Sequence, residues 1–100
     1  MTHSDSIRDL TALIANWADE HMPDRKPITA LTKMIMEEIP ELITSDYDEM
    51  EVADVGILLF DLCHLLGINL GEVMLKKMAI NTHRTWVVNK ETGLLKHVKE

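Results

Sequence analysis

The feature that most limits what this chain can become is residues 36–54, MEEIPELITSDYDEMEVAD. Two carboxylate pairs, Glu38/Glu41 and Glu51/Asp54, each have the i, i+3 spacing that sets side chains next to each other on one helix face. The SDYDE between them is polar and turn-like. The simplest geometry is two antiparallel helices joined by a short loop, with four carboxylates facing one another. Four such groups do not all stay ionised and close together in a dry place without a cation.

The flanking residues support helices. A second helix is expected over about Pro27 to Ile43, with the proline well placed in the first turn. Leu31, Met34, Ile35, Ile39 and Leu42 form its apolar stripe. At about 100° per residue, Glu38 falls about 20° from Leu31, in the middle of that stripe, and Glu41 at its edge. Glu37 lies further round. A solvated glutamate normally avoids the centre of an apolar face. Pro40 removes the bond to the Met36 carbonyl, so a local bend is expected there. A third helix is expected over about Asp48 to Leu66, with Ser45, Asp46 or Asp48 as cap. Glu51, Asp54 and Asp61 share its buried face with Val55, Leu58, Leu62 and Leu65. The opposite side, Ala53, Ile57, Phe60 and Cys63, is apolar too, so this helix is buried on two sides. In so small a chain the second side is expected to meet another subunit.

The remainder completes a small bundle. Residues 1–4 are expected to fray. Ser4 or Ser6 would cap a first helix from about Asp5 to His21, with Ile7, Leu10, Leu13, Ile14 and Trp17 on its inner face. Residues 22–27, MPDRKP, read as a loop. Gly67 ends the third helix, and Asn69 with Glu72 opens a fourth that runs to about Arg84. TWVV and LLKHV flank NKETG, which reads as a β-hairpin or an extended tail. The fold class is therefore all-α: an antiparallel bundle of about four helices with a short C-terminal β-hairpin or extended tail. One hundred residues make one domain, 1–100.

Composition excludes several functions. The net charge is −7, a poor match for phosphate backbones, so no nucleic-acid polymer is expected as partner. The one cysteine, Cys63, rules out an intrachain disulfide and fits a reducing compartment. The polar N-terminus lacks a signal-peptide core, and no apolar run reaches the ~20 residues of a membrane span. A cytoplasmic protein is expected, with no membrane partner.

The chemistry follows from the carboxylates. One ExxE pair is common on solvated faces. Two pairs on adjacent helices, each set on or beside an apolar stripe, are a much stronger signal. All-oxygen ligands with no histidine at ligand spacing suit a hard ion, Mg2+ or Mn2+, which typically also binds substrate phosphates. On the fourth helix Lys77, Asn81 and Arg84 continue one face. They read either as a polar helix end or, beside a metal, as a phosphate clamp with Arg84 bidentate. Trp17 and Trp86 are candidates for stacking on a base, with core packing the alternative. Asp61 and His64 read as a helix-surface pair, and Cys63 as an inert core residue. No phosphate-cradling glycine loop, CxxC or nucleophile elbow is present. The lack of an ExxH pair argues against a diiron bundle.

EEIPEL followed by EVAD resembles the EExxE…ExxD signature of the MazG-like all-α nucleoside triphosphate pyrophosphatases. LLFDLCHLLGI, KMAINTHRTW and TGLLKHV extend the match over Leu31 to Val98 and are similar to the small phage and bacterial dATP/dGTP diphosphohydrolase branch. The resemblance implies a Mg2+-dependent hydrolase, with Mn2+ as substitute, that cleaves between the α and β phosphates of a (deoxy)nucleoside triphosphate. It implies Glu38, Glu41, Glu51 and Asp54 as metal ligands. Glu37 would orient or deprotonate the attacking water, with Glu38 beside it, and Lys77, Asn81 and Arg84 would bind phosphate. It further implies a homodimer or homotetramer in a bacterial or phage-infected cytoplasm. The rival readings are a relative acting on dUTP or phosphoribosyl-ATP, and a non-catalytic helical dimer that binds a nucleotide or a protein.

Overall fold

The computed structural model describes residues 1–98. Helix α1 spans His3–His21 and starts earlier than the sequence suggests. Its cap is Thr2, not Ser4 or Ser6. Thr2 Oγ1 accepts from the Asp5 N–H at 3.1 Å while Asp5 accepts from the Thr2 N–H at 3.2 Å, a reciprocal capping box that ties down residues expected to fray. Ser4 bonds instead to Asn69 Oδ1 at 3.4 Å, and a side chain on Gly71 would sit 2.8 Å from the Ser4 backbone. Glycine is thus needed where the first and last helices meet.

The expected second helix is a continuous rod with an irregular centre. Helix α2 (Pro27–Lys33) runs into a π turn (Met34–Glu38) and on into α3 (Ile39–Thr44). The Ile39 N–H reaches back to the Met34 carbonyl, five residues away. Pro40 explains this departure from the expected simple bend. It lacks an N–H and its ring crowds the carbonyl four residues back, so the chain widens by one residue just before it.

Asp46 and Tyr47 adopt left-handed φ values of 58° and 65°, which reverse the chain in a short loop. Asp48 then caps α4 (Glu49–Leu66) by accepting from the Met50 N–H. Gly67, at φ 67°, closes α4 with the Ile68 N–H bonded to the Cys63 carbonyl. Asn69 caps α5 (Leu70–Thr82) by accepting from the Glu72 N–H, and α5 stops two residues short of Arg84. The chain finishes as an antiparallel hairpin of β1 (Trp86–Val88) and β2 (Leu95–His97), with Trp86 opposite His97 and Gly93 at φ 73° in the turn. Counting the rod as one, four helices and a hairpin make the expected architecture. No described helix is long and apolar enough to cross a membrane.

Helix α1 packs on α4 and α5, and α4 also receives α2, the π turn and α3. The interior differs from the expected aliphatic stripes. Among the described residues the buried apolar ones are Ala15, Ala18, Ala30, Leu62 and Cys63, and none of the large side chains is fully buried. Leu10, Leu13, Trp17, Leu31 and Ile35 of the anticipated inner faces are exposed. Alanines let α1 and α2 approach α4 closely, which leaves the longer side chains outside the seam. The radius of gyration is 16.1 Å, against about 13 Å for a compact domain of this length.

Candidate metal and nucleotide site

The π turn, α3 and α4 each bring one carboxylate to a common point. Glu38, Glu41 and Glu51 each offer an oxygen, and these atoms lie within 4.8 Å of one another. Glu38 is buried, Glu51 half-buried and Glu41 exposed. One oxygen of Glu38 and one of Glu51 are buried with no hydrogen-bond partner. Burial, followed by the charges of Glu41, Asp54, Glu38 and Asp48, holds the Glu51 carboxyl above its ordinary pKa. Orphaned anionic oxygens in such a cluster cost free energy unless a cation joins them. The donor set, carboxylate oxygen alone, fits a hard divalent ion. Asp54 stands outside this closest cluster. It is exposed, but it lines the same cavity as Glu38 and acts electrostatically on Glu51.

That cavity measures about 610 Å³ and lies between α1, α2 and α4. Leu13, Ile14, Trp17, Ile57 and Leu58 form an apolar wall, while Glu38 and Asp54 stand on the polar side. Trp17 is half-exposed, and its ring stacks on His21 at a centroid distance of 4.7 Å, which fixes its plane. An apolar wall beside an anionic cluster suits a ligand with one flat apolar end and one charged end.

Two cations in the cavity were not apparent from the sequence. Arg25, in a segment that reads as plain loop, forks onto Asp61 at 2.6 and 2.8 Å and onto Asp19 at 2.8 Å. Asp61 therefore pairs with Arg25 and not with His64, whose Nε2 lies 3.6 Å from Asp19. The signal available in the sequence was Asp61 itself, a charge on a buried helix face that demands a partner. Lys33 contacts Glu37 at 3.3 Å and Glu38 at 3.2 Å. Glu38 and then Glu37 hold its ammonium above the ordinary lysine pKa.

Lys77, Asn81, Arg84 and Trp86 do not line this cavity. They lie on or just beyond α5, whose main packing is against α1. Trp86 donates its indole N–H to the Asn81 carbonyl at 2.8 Å and leans on His97, while the Asn81 side-chain oxygen is buried without a partner. Cys63 is buried, and burial pushes its thiol pKa up, as befits an unreactive residue.

The chain is similar to known proteins. The family model for dATP/dGTP pyrophosphohydrolase matches residues 10–100. A dATP/dGTP diphosphohydrolase of Cyanophage S-2L is 42% identical over 95 residues, which cover 93% of this chain and 89% of that protein. A dATP/dGTP diphosphohydrolase of Salmonella phage PMBT28 is 43% identical over 94 residues, 93% of this chain, although the match spans only 32% of that longer protein. Among solved structures, the Cyanophage S-2L MazG-like pyrophosphohydrolase bound to dGDP and three catalytic Mn2+ ions per active site superposes with a TM-score of 0.85 at 43% identity. The alignment covers 93% of this chain and 97% of that one.

Proposed function

The chain belongs to the dATP/dGTP pyrophosphohydrolase family, and from that premise we propose that it hydrolyses the α–β phosphate bond of a purine deoxynucleoside triphosphate, releasing monophosphate and pyrophosphate. The observation that carries this reading is the cluster of Glu38, Glu41 and Glu51 beside an apolar cavity, with one oxygen of Glu38 and one of Glu51 buried and unpartnered. Glu38, Glu41, Glu51 and Asp54 are assigned as ligands of Mg2+, with Mn2+ as substitute. Bound there, the ion polarises phosphoryl oxygens and lowers the pKa of water.

The chain's own residues supply the rest. Glu37, next to the ligand Glu38, orients the attacking water and takes its proton. The flat face of Trp17 receives the base, with His21 behind it. Lys77, Asn81 and Arg84 offset phosphate charge, and Trp86 orders their end of α5. Because α5 packs on α1 and these residues stand away from their own chain's cavity, they would serve the site of a second protomer in a homodimer or homotetramer. The exposed apolar residues Val52, Ile57 and Leu59 of α4 and the extended shape of the chain support such an assembly.

The deciding experiment measures pyrophosphate and monophosphate release from ribo- and deoxynucleoside triphosphates, with dUTP and phosphoribosyl-ATP in the panel, under Mg2+, Mn2+ and EDTA. Metal-dependent pyrophosphate release, fastest with dATP or dGTP, is expected. Folded protein that releases none would sink the assignment. Glu38→Gln should abolish turnover while leaving helicity intact. Mixing Glu38→Gln chains with Arg84→Ala chains should restore part of the activity, because one composite site per mixed dimer is whole. No recovery would confine Arg84 to its own chain.

A further inference from the structure

The cavity holds two cations, Arg25 and Lys33, and they differ in freedom. Arg25 is committed. Both oxygens of Asp61, one of Asp19 and the Met22 carbonyl accept its N–H groups, and its side chain is 7% exposed. Lys33 is 50% exposed, sits on a flexible four-carbon stem, and its ammonium pairs with the carboxylates of Glu37 and Glu38.

The placement of Lys33 depends on the irregular rod. In a regular α-helix Lys33 would face Glu37, four residues on, while Glu38, five residues on, would lie about 140° round the axis. The π turn over Met34–Glu38 closes on a residue five positions away, which brings Glu38 beneath Lys33 as well. One ammonium therefore spans both glutamates. Its contact with Glu38 uses Oε1, whereas Oε2 is the buried oxygen that lacks a partner.

We propose that Lys33 is a further substrate-binding residue of this site, one that exchanges its contacts with Glu37 and Glu38 for the phosphate oxygens of the nucleotide when a divalent ion and the nucleotide bind. This rests on the hydrolase reading above. Two forces drive the exchange in one direction. A dication on Glu38 repels the ammonium and takes up the carboxylate charge that held it. The triphosphate offers Lys33 a denser negative charge within reach of its stem. The exchange also frees Glu37, the residue assigned to the attacking water, from an ion pair.

The test uses the full chain with Lys33→Met, which keeps the stem and removes the charge, and Lys33→Arg, which keeps the charge. Calorimetric titration with Mn2+ alone is followed by titration of the Mn2+-loaded protein with a non-hydrolysable α,β-imido deoxynucleoside triphosphate. Lys33→Met should bind Mn2+ about two- to fivefold more tightly, because a surface competitor for Glu38 is gone. It should bind the nucleotide about tenfold more weakly or worse, because a charged contact is lost. Lys33→Arg should stay within about twofold of the unaltered chain for Mn2+. The opposite signs are the signature, since simple loss of structure weakens both. Unchanged or weaker Mn2+ binding by Lys33→Met overturns the proposal, as does unchanged nucleotide binding. If the unaltered chain takes up Mn2+ but no nucleotide, the hydrolase reading falls and Lys33's role falls with it. That result is distinguishable from failure at Lys33 alone, where the unaltered chain binds both.

Discussion

At the scale of single residues the site is defined by strain between carboxylates. At Glu51, burial and the neighbours Glu41, Asp54, Glu38 and Asp48 favour the protonated form. A carboxyl with a folded-state pKa above the unfolded value penalises the fold at pH above that folded value, and the penalty fades as pH falls. Glu51→Gln should therefore raise the thermal midpoint in EDTA at neutral pH. The same change should abolish the rise that Mn2+ produces in the unaltered protein. Thermal melts with and without Mn2+ check both parts. A substitution that stabilises the fold and disables the site is the expected mark of a functional charge cluster. The carboxylates were legible in the sequence because Glu38 sits in an apolar stripe. The placement of Lys33 was not, because five-residue spacing carries no meaning until the π turn is known.

At the scale of elements, two tertiary joints position the cavity. One is Arg25, which links the loop before α2 to Asp19 on α1 and Asp61 on α4. Arg25 and Asp61 are almost fully enclosed, so removing one leaves an uncompensated charge. Arg25→Met should cost about 3 kcal/mol in chemical denaturation, and Asp61→Leu added to it should recover most of the loss. The other joint is the contact of Gly71 with Ser4. Helix order and limits were readable from caps and periodicity: Pro27, Asp48, Gly67 and Asn69 all mark boundaries in the structure. The start of α1 was missed because Ser4 and Ser6 compete with Thr2 on propensity alone, and only the Thr2–Asp5 reciprocity decides. The π turn was missed because Pro40 announces a disturbance without specifying its form.

At the scale of the whole molecule, the inner faces expected for Leu13, Leu31 and Ile35 are exposed within one chain. Periodicity reports that a face is covered, not by what, so it could not separate an intrachain core from an interface between copies. Sedimentation equilibrium should give a mass at least twice the 11.4 kDa of one chain, and a stable monomer would refute the assembly proposed above. The thin interior of Ala15, Ala18, Ala30, Leu62 and Cys63 has a further consequence. If most apolar burial occurs between copies, folding and association are one equilibrium, and the melting temperature climbs with protein concentration. Thinly expressed chains would then spend much of their time open to proteases, while abundant chains protect one another. Dilution acts on such a protein as heat acts on a self-sufficient one.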